Sequence, residues 1–237
     1  MISRHAWLSL LTLAALLFGP FAVAPQASQA QTADQTFTVD RLDDLVPPLN
    51  GDYCTAIAND CTLRQAILKA NAATTTETKL INFANISGSI SITNTVGLLP
   101  ALGSNITLQG RTSLITGRPL IQIVGAETNR SAGIRISGNN NTVSDLVIYG
   151  FSDAFTDSNG GSAIVIAGDN NTIIRNYIGV RTDGTLPNAN DRNVRGIRII
   201  AGADNNDIGQ NGNPNVIGGN QGIGVEVIDA SDNTVLG

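Results

Sequence analysis

Gly133-Ile134-Arg135-Ile136-Ser137-Gly138-Asn139-Asn140-Asn141-Thr142-Val143 returns as Ala163-Ile164-Val165-Ile166-Ala167-Gly168-Asp169-Asn170-Asn171-Thr172-Ile173. Each stretch is an alternating Ile/Val strand, a Gly/Asn turn and the start of a second strand. Two further passes follow. Gly196-Ile197-Arg198-Ile199-Ile200 leads to Asp204-Asn205-Asn206-Asp207-Ile208, and Gly224-Val225-Glu226-Val227-Ile228 leads to Asp232-Asn233-Thr234-Val235. The matching turn residues Asn141, Asn171, Asn206 and Asn233 are separated by 30, 35 and 27 positions. A motif recurring at this scale is the mark of stacked repeats, a solenoid. The strand-turn-strand core is constant while the connections vary, the longest being 153–162 and 181–195. Length variation confined to one connection predicts insertions on one side of the stack.

The alternation explains the shape. Side chains along a strand point to opposite faces, and stacked strands lie ~4.8 Å apart, so like residues pile on like. Ile134/Ile136, Ile164/Ile166, Ile197/Ile199 and Val225/Val227 are expected inward, each buried side chain contributing roughly 1.5–3 kcal/mol. Arg135, Val165, Arg198 and Glu226 are expected outward in one column. Asn141, Asn171, Asn206 and Asn233 are expected to hydrogen-bond amide to amide as a ladder. Asn also tolerates the left-handed backbone of a tight turn. Ile81-Asn82-Phe83, Ile90-Ser91-Ile92, Ile106-Thr107-Leu108 and Ile121-Gln122-Ile123 alternate in the same way and predict the first, less regular passes.

The N-terminal third reads differently. Arg4 and His5 precede an apolar run, Trp7 to Val23, and Ser28-Gln29-Ala30 offers small residues before a cut. Residues 1–30 read as a secretory signal peptide rather than a membrane anchor, because Gly19-Pro20 interrupt the run and no basic flank follows. No other segment approaches the ~18–20 apolar residues of a membrane span. Residues 31–36 read as a disordered leader, and Phe37-Thr38-Val39 as a short strand. Thr62 and Gln65 have the spacing of a capping box. Leu63, Ala66, Ile67 and Ala70 then mark one apolar helix face, with Arg64, Gln65 and Lys69 directed elsewhere. The helix is expected to stop near 71–73. Cys54 and Cys61 are the only cysteines. In an exported chain a local disulfide is the expected pairing, since two thiols without a mature histidine make a poor zinc site.

These motifs carry a resemblance. Ala163 to Gly179, through Asn176, Ile178 and Gly179, is similar to the repeat of right-handed parallel β-helix proteins. Phe37 to Ala72, with Cys61-Thr62-Leu63-Arg64-Gln65-Ala66-Ile67 at its centre, resembles the CSLREA domain of exported bacterial proteins. Thr62 and Gln65 stand where that family has Ser and Glu, and both keep the capping chemistry. The resemblance implies an all-β parallel β-helix over 79–237, capped by a helical, disulfide-closed segment over 31–78. It implies a secreted or cell-surface location and no catalytic residues. The helix is expected to cover the apolar end of the stack and its unpaired strand edge. The chain ends within a repeat, so a piece of a longer solenoid is expected, with residues 31–237 alone prone to aggregate.

Composition narrows function. The chain carries a net charge of −5 with only Lys69 and Lys79 as lysines. Nucleic acid and anionic lipid are disfavoured partners on electrostatic grounds. Histidine occurs only at His5, so no Ser/His/Asp triad survives export. β-Helix lyases and polygalacturonases cluster acids on one outward face, for a metal or for acid–base work. The outward column here has one carboxylate, Glu226. Asp153, Asp157, Asp183 and Asp191 lie in the long connections, with Arg181, Arg192 and Arg195 near the latter pair. They are candidates for a glycan-cleaving or calcium-holding cluster, against the plainer reading of solvated turns. The expected role is a non-catalytic, adhesin-like or stalk-like module with a polysaccharide or cell-surface glycan as partner. The alternative is a carbohydrate-active lyase or hydrolase.

Overall fold

A computed structural model of the chain describes residues 33–45, 52–93, 96–125, 132–152 and 160–237. The expected signal peptide over 1–30 lies outside these residues, as do Asp153 and Asp157. Residues 33–237 form one compact unit.

The first part contains β1 (Gln35–Val39), α1 (Leu63–Ala72), β2 (Lys79–Phe83), β3 (Gly88–Ile92), β4 (Ile106–Gln109) and β5 (Ile121–Gly125). The chain then cycles through β6 (Ala132–Ile136), β7 (Thr142–Ser144) and β8 (Leu146–Tyr149), and again through β9 (Ser162–Ile166), β10 (Thr172–Ile174) and β11 (Tyr177–Ile178). A third cycle holds β12 (Arg195–Ile199), β13 (Asp207–Ile208) and β14 (Val216–Ile217), followed by β15 (Val225–Val227) and β16 (Thr234–Val235). Members of each cycle go to three different sheets. The first sheet runs β1-β2-β4-β7-β10-β13-β16, the second β14-β11-β8-β5-β3, and the third β15-β12-β9-β6. Every strand pairing within these sheets is parallel. The molecule is therefore mostly β, with three parallel sheets and a single α-helix among the described residues.

The period-2 alternation converts directly into burial. Ile134, Ile136, Ile164, Ile166, Ile197 and Ile199 of the third sheet are buried in one core with Val143, Ile173 and Ile208 of the first and Ile148 and Ile178 of the second. The three sheets thus share one apolar interior. The outward register also follows the sequence, with Arg135 beside Val165, Val165 beside Arg198, and Arg198 beside Glu226. Val165 nonetheless is buried, so this face is not uniformly exposed. Each cycle holds a third strand, β8, β11 or β14, beyond the two read from the repeat. The variable stretches 153–162 and 181–195 both join the second sheet to the third.

The helix begins at an N-cap Thr62 whose hydroxyl accepts from the Gln65 N–H (3.3 Å), while the Gln65 side chain accepts from the Thr62 N–H (2.8 Å). It ends at Ala72, and its Leu63, Ala66, Ile67 and Ala70 enter the common core. Two expectations are refined. Arg64 and Gln65, read as lying off the apolar face, are buried as well. Arg64 forks onto Asp44 (Nε and Nη2, each 2.7 Å) and donates to the Gly97 and Leu98 carbonyls, because both flanking segments fold over that helix face. The leader shortens too, since Gln35 and Thr36 already pair with Lys79 and Leu80. Asp34 assists by accepting from the Thr78 N–H (2.8 Å) and hydroxyl (2.9 Å).

Cys54 and Cys61 form a disulfide with Cα atoms 4.3 Å apart. The Asp40 carboxylate, just past β1, accepts from the Asn59 N–H (2.6 Å) and the Cys61 N–H (2.9 Å). The closed loop is thereby tied to the first strand. Among the described residues no helix is long and apolar enough to cross a membrane.

Candidate functional site

Two sets of polar residues stand out, one that braces the sheets and one that faces solvent. The bracing set is built from asparagine. The Asn141 amide donates to Asn171 Oδ1 (2.9 Å), Asn171 to Asn206 (3.0 Å) and Asn206 to Asn233 (3.0 Å). Each acceptor oxygen also takes the backbone N–H of the asparagine beside it. At the preceding pass, where no asparagine stands, Asn141 Oδ1 accepts from the Ile106 N–H (2.8 Å). The residue before each ladder asparagine is left-handed: Asn140 at φ 60°, Asn170 at 57°, Asn205 at 58° and Asp232 at 56°.

Sequence reading missed two more columns. Asn176 donates from its N–H (3.0 Å) and its amide (3.2 Å) to Asn215 Oδ1, and its own oxygen accepts from the Leu146 N–H. Asn193 donates to Asn220 Oδ1 (2.9 Å) and accepts from the Phe151 N–H. The signal for the second column was present, as Asn176-Tyr177-Ile178-Gly179 recurs as Asn215-Val216-Ile217-Gly218.

Of the acids singled out in the long connections, Asp183 and Asp191 are described, and they share no hydrogen-bond partner among the described residues. Asp183 accepts from the Thr185 hydroxyl (2.6 Å) and N–H (2.9 Å) within its own turn. Those bonds, the hydroxyl's above all, hold its carboxyl below the usual range, with Arg181 adding attraction. Asp191 sits in a short 3-10 helix and accepts from the Asn188 amide (3.0 Å). Arg195 joins neither. Its Nε lies 3.0 Å from Glu226 Oε2, the same oxygen that Arg198 Nε approaches at 3.0 Å, and it donates to the Gly160 carbonyl. The outward carboxylate of Glu226 is thus neutralised by two arginines. Among the described residues no three metal-ligating side chains come together.

What the structure does assemble is a cleft of about 430 Å³ lined by Thr116, Arg118, Gln122, Arg181, Thr182 and Asp183. One wall is the 111–120 excursion between β4 and β5. It is pinned by an antiparallel bridge, Thr112 to Pro119, and by Ser113 N–H to the Arg118 carbonyl (2.9 Å). Arg111 anchors its base on the Ile86 carbonyl and Asn85 Oδ1. The opposite wall is the tight turn 181–185, closed by Arg181 N–H to the Thr185 carbonyl (2.9 Å). Gln122 is the floor, an outward position of β5 between the buried Ile121 and Ile123. Arg118 Nη1 donates to the Asp183 carbonyl (2.7 Å) and links the two walls. The Arg181 guanidinium makes no hydrogen bond among the described residues. Thr182 Oγ1 is likewise buried without a hydrogen-bond partner. No protein-family model, curated protein or solved structure matches this chain.

Proposed function

We propose that this chain is an exported right-handed parallel β-helix, begun by a CSLREA-like helical cap, that works as a non-catalytic surface or secreted module of the adhesin or stalk type. The observation that carries this reading is the set of three asparagine columns linking strands 27 to 39 residues apart in sequence. Where they run, such columns satisfy backbone and side-chain donors together and favour a stiff scaffold. The cap reading draws on α1, whose apolar face joins the core beside β1 and β2, and on the disulfide that closes its approach. A binding role draws on the cleft, which holds two guanidinium groups and one carboxylate, and that carboxylate is engaged in its own turn. An acid pair for glycoside chemistry requires two carboxyls flanking the substrate.

The test is incubation of the purified protein with a panel of polysaccharides. Retention on one or more of them, with no reducing or unsaturated sugar released, is the expected result. Turnover of any member would overturn the non-catalytic reading.

A further inference from the structure

Against an acidic chain of net charge −5, the cleft between the 111–120 excursion and the 181–185 turn is locally positive. Arg118 and Arg181 outnumber Asp183, and the Asp183 carboxylate is already bonded to Thr185. Arg118 commits Nη1 to the Asp183 carbonyl, a bond that holds the side chain in place and leaves four of its five N–H donors over. Arg181 is half-buried and commits none among the described residues. Thr182 Oγ1, withdrawn from water, has no hydrogen-bond partner. A buried hydroxyl left without one carries a penalty of about 1–3 kcal/mol. Two guanidinium groups therefore present unused hydrogen-bonding capacity to one opening, while the Thr182 hydroxyl is withdrawn from it.

We propose that this cleft is a binding site for the carboxylate of an acidic saccharide, with the Arg118 and Arg181 guanidinium groups on the carboxylate and Thr116 and Gln122 on neighbouring hydroxyls. The guanidinium fork matches a carboxylate with two parallel N–H donors, a geometry a lysine lacks. Gln122 and Thr116 offer both donors and acceptors, which a sugar hydroxyl requires. None of the six lining residues has an aliphatic or aromatic side chain. A polyhydroxylated ring does not need such a side chain to bury against. The volume falls in the range of small-molecule sites. The site would let a stiff module hold an acidic glycan without altering it, so it rests on the binding-module reading above.

The experiment is calorimetric titration of the protein with a uronic-acid trisaccharide, the neutral trisaccharide of the same linkage, and a glutamate tripeptide. Binding of the uronate alone is expected, weakened about tenfold or more in Arg181→Ala and less in Arg181→Lys. Arg118→Ala is expected to weaken it as well. If that variant loosens the excursion, Gln122→Ala, at an outward position of β5, supplies an independent reading, with weaker uronate binding expected. Equal binding of the neutral sugar or of the peptide, absence of uronate binding, or uronate binding that survives Arg181→Ala overturns the proposal. Release of sugar products with Arg181-dependent binding would overturn the non-catalytic reading and leave the cleft standing. Polysaccharide retention that ignores these variants would do the reverse.

Discussion

Single side chains carry unequal weight in this chain, and the buried asparagines carry most. Asn171 is fully buried, and its oxygen serves both the N–H and the amide of Asn141. Asn171→Ala leaves those two donors unpaired in a dry place, so a loss of about 1–3 kcal/mol per donor is expected from denaturant titration. Asn188→Ala, in an exposed connection, should stay within about 0.5 kcal/mol. Glycine matters for a different reason at Gly168. A Cβ there would lie 2.2 Å from the Gly138 carbonyl oxygen, backbone against backbone. Gly168→Ala must push two passes apart and is expected to cost about 1–3 kcal/mol or more. A melting temperature equal to that of the parent would show that the passes have slack there.

Among the secondary-structure elements, α1 shows how a polar group is buried safely. Arg64 and Asp44 have side chains only 8% and 3% exposed, and the guanidinium also satisfies two carbonyls of the 97–98 segment. Removing one member of a buried pair strands the other, at about 3–5 kcal/mol. Arg64→Ala should fall in that range, while Arg64→Ala combined with Asp44→Ala should be less damaging than the sum of the two single changes. Additive losses would mean that the pair does not couple. The helix periodicity identified the apolar face correctly. It had no access to Asp44 and Gly97, which lie 20 and 33 residues away in sequence and convert a polar face into a buried one.

For the molecule as a whole, acid is the informative stress. Asp34 and Asp183 both have carboxyls held below the usual range by hydrogen bonds from threonine, the Thr78 backbone N–H contributing most for Asp34. A carboxyl with a depressed folded-state pKa stabilises the fold above its unfolded value, and that contribution disappears as pH falls through the folded value. Stability is therefore expected to be level near neutrality and to decline below about pH 4. Asp34→Asn should be less stable than the parent at pH 7, with the gap closing near about pH 2. A gap that persists there would assign the effect to packing. Asp34 joins the first strand to the segment before β2, so local opening of that edge is where the loss should begin.

Alternation of Ile and Val with polar residues, and a turn asparagine recurring beside a left-handed residue, were legible because both signals are local. The strand register, the shared core, the first asparagine column, the capping box and the disulfide all follow from residues close in sequence or repeated at matching positions. The Asn176–Asn215 pairing is legible in the same way, through the common Asn-x-Ile-Gly run. The cleft was not legible, because Arg118 and Asp183 are 65 positions apart and belong to connections with no common motif. The same holds for Arg195, which sequence proximity grouped with Asp191 and the fold carries instead to Glu226. Local pattern is enough to stack parallel strands, since each strand needs only its own alternation and a like neighbour. Which irregular connections meet above the sheets depends on their exit points and lengths, and that is set by the packed molecule.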